Sequence, residues 1–153
     1  MSALGPVASL VAGVGCAAVG GAFFTFSTFT MQGLTRLPDE AGAEAMRSIN
    51  RTAPRPPFMA LLFGSAAAAA AVAVADLVSG ARTAPLTVSG AALYLVGTIG
   101  VTMAGNVPLN NALEAERGRP TRLWRDYAHR WTRLNHVRTV TSLAAGALLA
   151  LAA

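Results

Sequence analysis

The run Asn135-His136-Val137-Arg138 stands at the mouth of an otherwise uncharged tail, and Asn106 and Asn110 bracket Pro108 near the end of another apolar run. These are residue types that can do chemistry. An imidazole exchanges protons near neutrality. Carboxamides and a guanidinium donate hydrogen bonds to an oxygen that gains negative charge. Spacing strengthens the case. Trp124, Trp131, Asn135 and Arg138 fall on one helical stripe, with His129 and His136 on a neighbouring line. Arg122, Arg125, Arg130 and Arg133 fall mostly on other faces. Asn106 and Asn110, four apart, share a face if their helix continues. Earlier, GGAFFTFSTFTMQGL packs Phe23, Phe24, Phe26 and Phe29 around Thr25, Ser27, Thr28 and Thr30, as interface anchors or as the wall of a pocket for a flat ring. If these groups converge with Asn50, they form a polar-tipped, aromatic-walled pocket.

The elements that must position them are set by charge. The chain has 153 residues, 54% hydrophobic and 12% charged, with a mean hydropathy of +0.49. Soluble domains carry charge on about a quarter of their residues. No charge occurs before Arg36, between Arg55 and Asp76, between Arg82 and Glu114, or after Arg138. Four such blocks read as four transmembrane helices, at approximately 4–34, 57–78, 85–105 and 134–153, in a single all-α membrane domain over 1–153. The first block has no basic residue before its apolar part and is expected to stay in the protein as a span. The expected fold is a four-helix bundle with two longer cytoplasmic loops that contain short helices.

The net charge of +5 does not point to nucleic acid, because its placement is topological. All 12 basic residues are arginines. Four lie between blocks one and two, seven between blocks three and four, and only Arg82 between blocks two and three. Basic loops stay inside. Both long loops are therefore expected in the cytoplasm and both termini outside, in the plasma (inner) membrane, with the bilayer as the first partner.

Finer signals follow the same plan. Ser9, Gly13, Ala17 and Gly21 recur every four residues and make a smooth face for close helix approach. Gly90, Gly97 and Ala104 recur every seven. Pro38-Asp39 starts a helix expected to reach about Asn50, after which Pro54, Pro56 and Pro57 lead into block two. Pro108 lacks a backbone donor and weakens the helix one turn past Gly105. A further helix is expected from about Thr121 into the tail. Asp76 is expected at an outer end, where its carboxylate reaches water. Cys16, the single cysteine, excludes an internal disulfide and reads as a packing residue. Fifteen residues follow Arg138, about 22 Å of helix against a hydrocarbon core of about 30 Å, so Arg138 is expected several Å below the inner interface unless it snorkels.

FSTFTMQGLTRLP, AMRSIN, NVPLNNAL and W-x6-W-x3-NHVRT, in that order and over nearly the whole chain, resemble the anthrone oxygenase-like family of small four-helix membrane proteins. Gln32 departs from the proline expected in the commoner form of the first motif. The resemblance implies oxidation of an anthrone-type phenol by O2 without a conventional organic cofactor. Such chemistry needs a base, donors for an enolate oxygen and a dry aromatic slot. His136 is the candidate base, with Arg138 and Asn110 as oxyanion donors. Asn106, Asn135, Trp131, Trp124, Asn50, Phe26 and Ser27 are the candidate substrate-binding residues.

His129 and His136 lie two helical turns apart, too far to share one ion on a straight helix, so a metal would need ligands from elsewhere. The rival reading is a non-catalytic membrane protein that binds a small molecule or lipid, or serves as an accessory or transport subunit. The lack of an acidic residue in mid-span argues against a proton-coupled pump acting alone. A homo-oligomer is compatible with either reading.

Overall fold

A computed structural model of the chain describes residues 4–116 and 121–153, and among these every regular element is helical. Arg117 and Arg119 lie outside the described residues.

Among the described residues, three stretches are long and apolar enough to cross a membrane: Gly5–Thr35, Pro56–Ser79 and Ala84–Ala115. The first consists of α1 (Leu4–Thr25), a π-helical turn over Phe26–Thr30, and α2 (Met31–Thr35). After a short turn, α3 (Asp39–Thr52) packs against α2 and against the charged half of the chain's last helix, with Gly42, Ala43 and Met46 buried. Next comes α4 (Pro56–Ser79), started by proline where a missing N–H is harmless. It ends at Gly80, whose φ of 67° is a left-handed cap that glycine adopts without a Cβ clash. Asp76 does not simply face water. Its Oδ2 accepts from Thr83 Oγ1 at 2.8 Å and Thr87 Oγ1 at 3.0 Å, and so ties the turn between α4 and α5.

The third stretch is longer than its apolar core suggested. It runs as α5 (Ala84–Ala92), two π-helical segments (Leu93–Gly100 and Thr102–Asn106), and α6 (Val107–Ala115). Pro108 does not break it. The missing donor sits in the first turn after a π register in which Val107 N–H reaches back to Thr102 O, five residues away.

Finally, α7 (Thr121–Leu151) is one continuous helix. Its first half is charged, its second half apolar. The charged layer between the third and fourth blocks is therefore mainly the projecting ends of α6 and α7, not a loop with its own short helix.

The α1–α7 contact is the most extensive, and its backbones approach closely. A Cβ on Gly13 would lie 2.9 Å from Gly146 O, and one on Gly146 would lie 2.9 Å from Gly13 O. Ser9 Oγ donates to Leu149 O at 2.6 Å nearby. Of the expected smooth face, Ser9, Gly13 and Ala17 meet α7, whereas a Cβ on Gly21 would meet nothing and Gly20 takes the contact with Leu143. A four-residue step overshoots the helical repeat by about 40°, so the stripe drifts off the interface. A similar slip affects the third stretch. Gly90 and Gly97 lie against α7, but Gly105, not Ala104, meets Leu134, because the π turns insert an extra residue.

Two cores result. One lies between α1, α4, α5 and α7 and contains Cys16, Val19, Leu62, Tyr94 and Leu149. The other lies in the charged layer and contains Met46, Leu113, Trp124, Tyr127 and Trp131. Arg47 ties this layer together: its Nε donates to Leu113 O and its Nη2 to Glu116 O, at the end of α6 where carbonyls lack helical partners.

Candidate functional site

A cavity of about 530 Å³ opens where the two cores meet. Its walls are mainly Phe23, Phe26, Phe58, Met59, Leu62, Phe63, Met103 and Trp131, and its polar points include Asn50, Thr102, Asn110 and Arg138. That volume suits a small organic molecule. Among the described residues, no carboxylate or imidazole lines it.

Arg138 is the charge at this site, and it is 4% exposed. Its guanidinium lies 4.1 Å from the Phe23 ring centre and 5.1 Å from the Trp131 ring centre, two cation–π contacts in a dry setting. One Nη donates to Asn135 Oδ1 at 2.7 Å and the other to Thr102 Oγ1 at 3.2 Å. Among the described residues its Nε has no partner and no carboxylate pairs with it. A buried cation without a counter-charge is destabilising on its own, so the aromatic faces and neutral acceptors must offset its desolvation.

Behind Arg138, Asn135 is fully buried and holds the wall in place. Its Nδ2 donates to Phe23 O at 2.7 Å and to Ser27 Oγ at 2.8 Å. Because the carboxamide gives both hydrogens to α1 and the π turn, its Oδ1 is committed to Arg138. The π turn at Phe26–Thr30 delivers Ser27 inward while Phe26 lines the cavity and tilts against Trp131, ring centres 5.7 Å apart.

A second polar ladder crosses the cavity floor. Asn50 Nδ2 donates to Tyr127 OH at 3.4 Å, and Tyr127 OH donates to Asn110 Oδ1 at 2.9 Å. Trp131 Nε1 donates to the same Oδ1 at 2.9 Å. An indole N–H can only donate, so the Asn110 oxygen must face it and the amide nitrogen is left as a donor. Burial raises the Tyr127 phenol well above its usual range, which keeps it a neutral hydrogen-bond donor.

Of the residues singled out from sequence, Arg138, Asn110, Asn50, Trp131 and Phe26 meet at the cavity. Asn135 and Ser27 stand behind Arg138. Asn106 is buried and donates to Trp131 O at 3.2 Å, with its Oδ1 unpartnered, but it does not line the cavity. Trp124 lies deeper in the second core, stacked on Tyr127 with ring centres 5.8 Å apart. His136 is not brought to the cavity: it is exposed and lines a separate hollow with His129. Phe24 and Phe29 point outward. Tyr127, Thr102, Phe23 and Phe58 complete the site. Tyr127 carried a usable signal, three residues after Trp124 and four before Trp131 on the same helical face.

Among the described residues, no three His, Cys, Asp or Glu side chains are grouped to hold a metal ion. The family model for anthrone oxygenase matches residues 57–148, more than half of the chain and most of the cavity's walls. No curated protein and no solved structure matches.

Proposed function

The chain belongs to the anthrone oxygenase family, and from that premise we propose that it is a membrane-embedded oxygenase that oxidises an apolar phenolic substrate in the Arg138 cavity. The observation that carries the reading is the buried guanidinium, which among the described residues has a free Nε and no acidic partner, set in an aromatic wall. Such a group favours the anionic form of a ligand. An anthrone-type ketone becomes an enolate when its central methylene loses a proton, and the oxygen of that enolate is the natural partner of Arg138, with the Asn110 amide as a second donor. The electron-rich anion gives electrons to O2 directly, so no organic cofactor is needed. In the full reaction the methylene loses two hydrogens and gains one oxygen as a new carbonyl. The second oxygen atom leaves as water.

The base is assigned differently from the sequence expectation. Pairing with Arg138 acidifies the substrate, and water at the cavity mouth takes the proton. Trp131, Phe23 and Phe26 hold the flat ring and exclude bulk solvent around the carbanion. The charge-free run after Arg138 supports α7 as a fourth crossing beside the three long apolar stretches, and the placement of the arginines supports a cytoplasmic charged layer at the plasma membrane with both termini outside. An apolar substrate and O2 both reach such a site through lipid.

Purified protein in detergent should consume O2 with an anthrone-type phenol. Arg138→Gln should lower turnover by about a hundredfold, and His136→Ala should leave it within about twofold. Silence of the wild-type protein with retention of a co-purifying ligand would instead support a binding protein. Loss of turnover in His136→Ala alone would return the base to the imidazole.

A further inference from the structure

A second hollow, about 330 Å³, lies between α2 and the face of α7 that turns away from the cavity. His129, Thr132, Arg133 and His136 occupy one face of α7, at the spacing of successive helical turns, and Gln32 and Thr35 face them from α2. Among the described residues, every polar side chain around the hollow can donate a hydrogen bond, and none is a carboxylate. Ser27 and Thr35 are already engaged, Ser27 with Asn135 and Thr35 with Gln32 O. Gln32, His129, Thr132, Arg133 and His136 make no side-chain hydrogen bond or ion pair among the described residues. A cluster of idle donors with an arginine and no acid is chemically matched to an anion.

Its level in the molecule narrows the kind of anion. The apolar stretch Gly5–Thr35 ends at this hollow, and Arg36 is the first charge of the chain. Away from the charged layer, the same helix faces become apolar and outward-facing: Phe24 three residues before Ser27, Val140 four after His136, and then Leu143. A free phosphate would use only the donors. A phospholipid would use both the donors and the apolar track. The hollow offers no carboxylate to a choline or ethanolamine ammonium. From this juxtaposition we infer that the hollow binds the phosphate headgroup of an anionic phospholipid, with an acyl chain along Val140 and Leu143. This site is separate from the cavity and does not depend on what the cavity does.

Native mass spectrometry of the detergent-purified full chain tests it, with phosphatidylglycerol and phosphatidylcholine of the same acyl chains as probes. Phosphatidylglycerol should be retained about fivefold more, with Arg133→Gln alone removing most of that preference. The combined His129→Gln, Arg133→Gln, His136→Gln chain should show no preference, and Arg133→Lys should keep it. Melting temperature without added lipid separates lost binding from lost folding. Excess inorganic phosphate should not displace the lipid. Equal retention of the two lipids, an unchanged preference in a folded Arg133→Gln chain, or displacement by inorganic phosphate alone would each overturn the assignment.

Discussion

Arg138 donates to Asn135 Oδ1 at 2.7 Å, one turn back on the same helix, while Asn135 spends both amide hydrogens on Phe23 O and Ser27 Oγ. The charge at the cavity is thus aimed by a neutral residue that is itself fastened to a different helix. An acid in place of Asn135 would hold the guanidinium as firmly but would cancel its charge. Asn135→Asp is therefore expected to lose most turnover, and to melt below the wild type, because its second oxygen faces Phe23 O with no hydrogen to give. The check is O2 consumption against a melting curve for the same preparation, and full activity in the folded variant would remove the need for a net cation.

Stability and function should part company at Arg138. Replacing a buried ion pair with apolar side chains of similar volume is often neutral or stabilising, by about 1–4 kcal/mol, and a lone buried ion has still less to offset its desolvation. Arg138→Met should therefore hold or raise the melting temperature while turnover collapses. A large fall in melting temperature would mean that the guanidinium's contacts with Phe23, Trp131, Thr102 and Asn135 outweigh its desolvation.

The helix crossing gives a contrast between glycines. Gly146→Val should destabilise by roughly 1–3 kcal/mol, because its side chain meets the α1 backbone at Gly13 O. Gly21→Ala meets nothing and should be neutral or gain up to about 1 kcal/mol through reduced chain entropy. Thermal unfolding in one detergent would rank them, and equal effects would contradict the crossing.

Acid should act on the charged layer first. Glu44 lies 2.9 Å from Arg51 and 3.3 Å from Arg47, and their hydrogen bonds hold its carboxyl below the ordinary 4.5. A depressed folded pKa contributes stability above the unfolded value, lost as pH falls through the folded one. The melting difference between wild type and Glu44→Gln should therefore be full above about pH 4.5 and shrink below it. Glu44 is exposed, so the difference should be small and reduced by salt.

The donor set on the cavity floor makes a separate prediction. Tyr127→Phe removes one of two hydrogen bonds that fix the Asn110 amide, while Trp131 Nε1 retains the other. Turnover should fall by several-fold to about tenfold with a smaller change in KM, the pattern expected when a donor is loosened rather than deleted. A change confined to KM would make Tyr127 a binding group only.

What was legible in the sequence was the stripe. Trp124, Trp131, Asn135 and Arg138 are all buried on one side of α7, because a regular helix repeats every 3.6 residues whatever packs against it. The charge-free blocks likewise anticipated the three long apolar helices. His136 was less readable. Topology put it at the same depth as Arg138, but depth is not direction, and two residues along a helix turn a side chain about 200°. The exchange of Ala104 for Gly105 was hidden for a related reason. A π turn adds one residue to the register through backbone bonds that leave no clear mark in residue types. Tyr127 was hidden in plain view, as an aromatic between two tryptophans whose hydroxyl matters only once Asn110 and Asn50 arrive from other helices.

The missing counter-charge at Arg138 also bears on how such a pocket would empty. A fixed cation in a low-dielectric wall sorts guests by ionisation state, gripping an anion strongly and a neutral ketone weakly. If the resident is an enolate and the product an uncharged quinone, oxidation itself switches off the attraction. Departure into the surrounding lipid would then need no moving gate, because the reaction discharges the tether that held its own reactant.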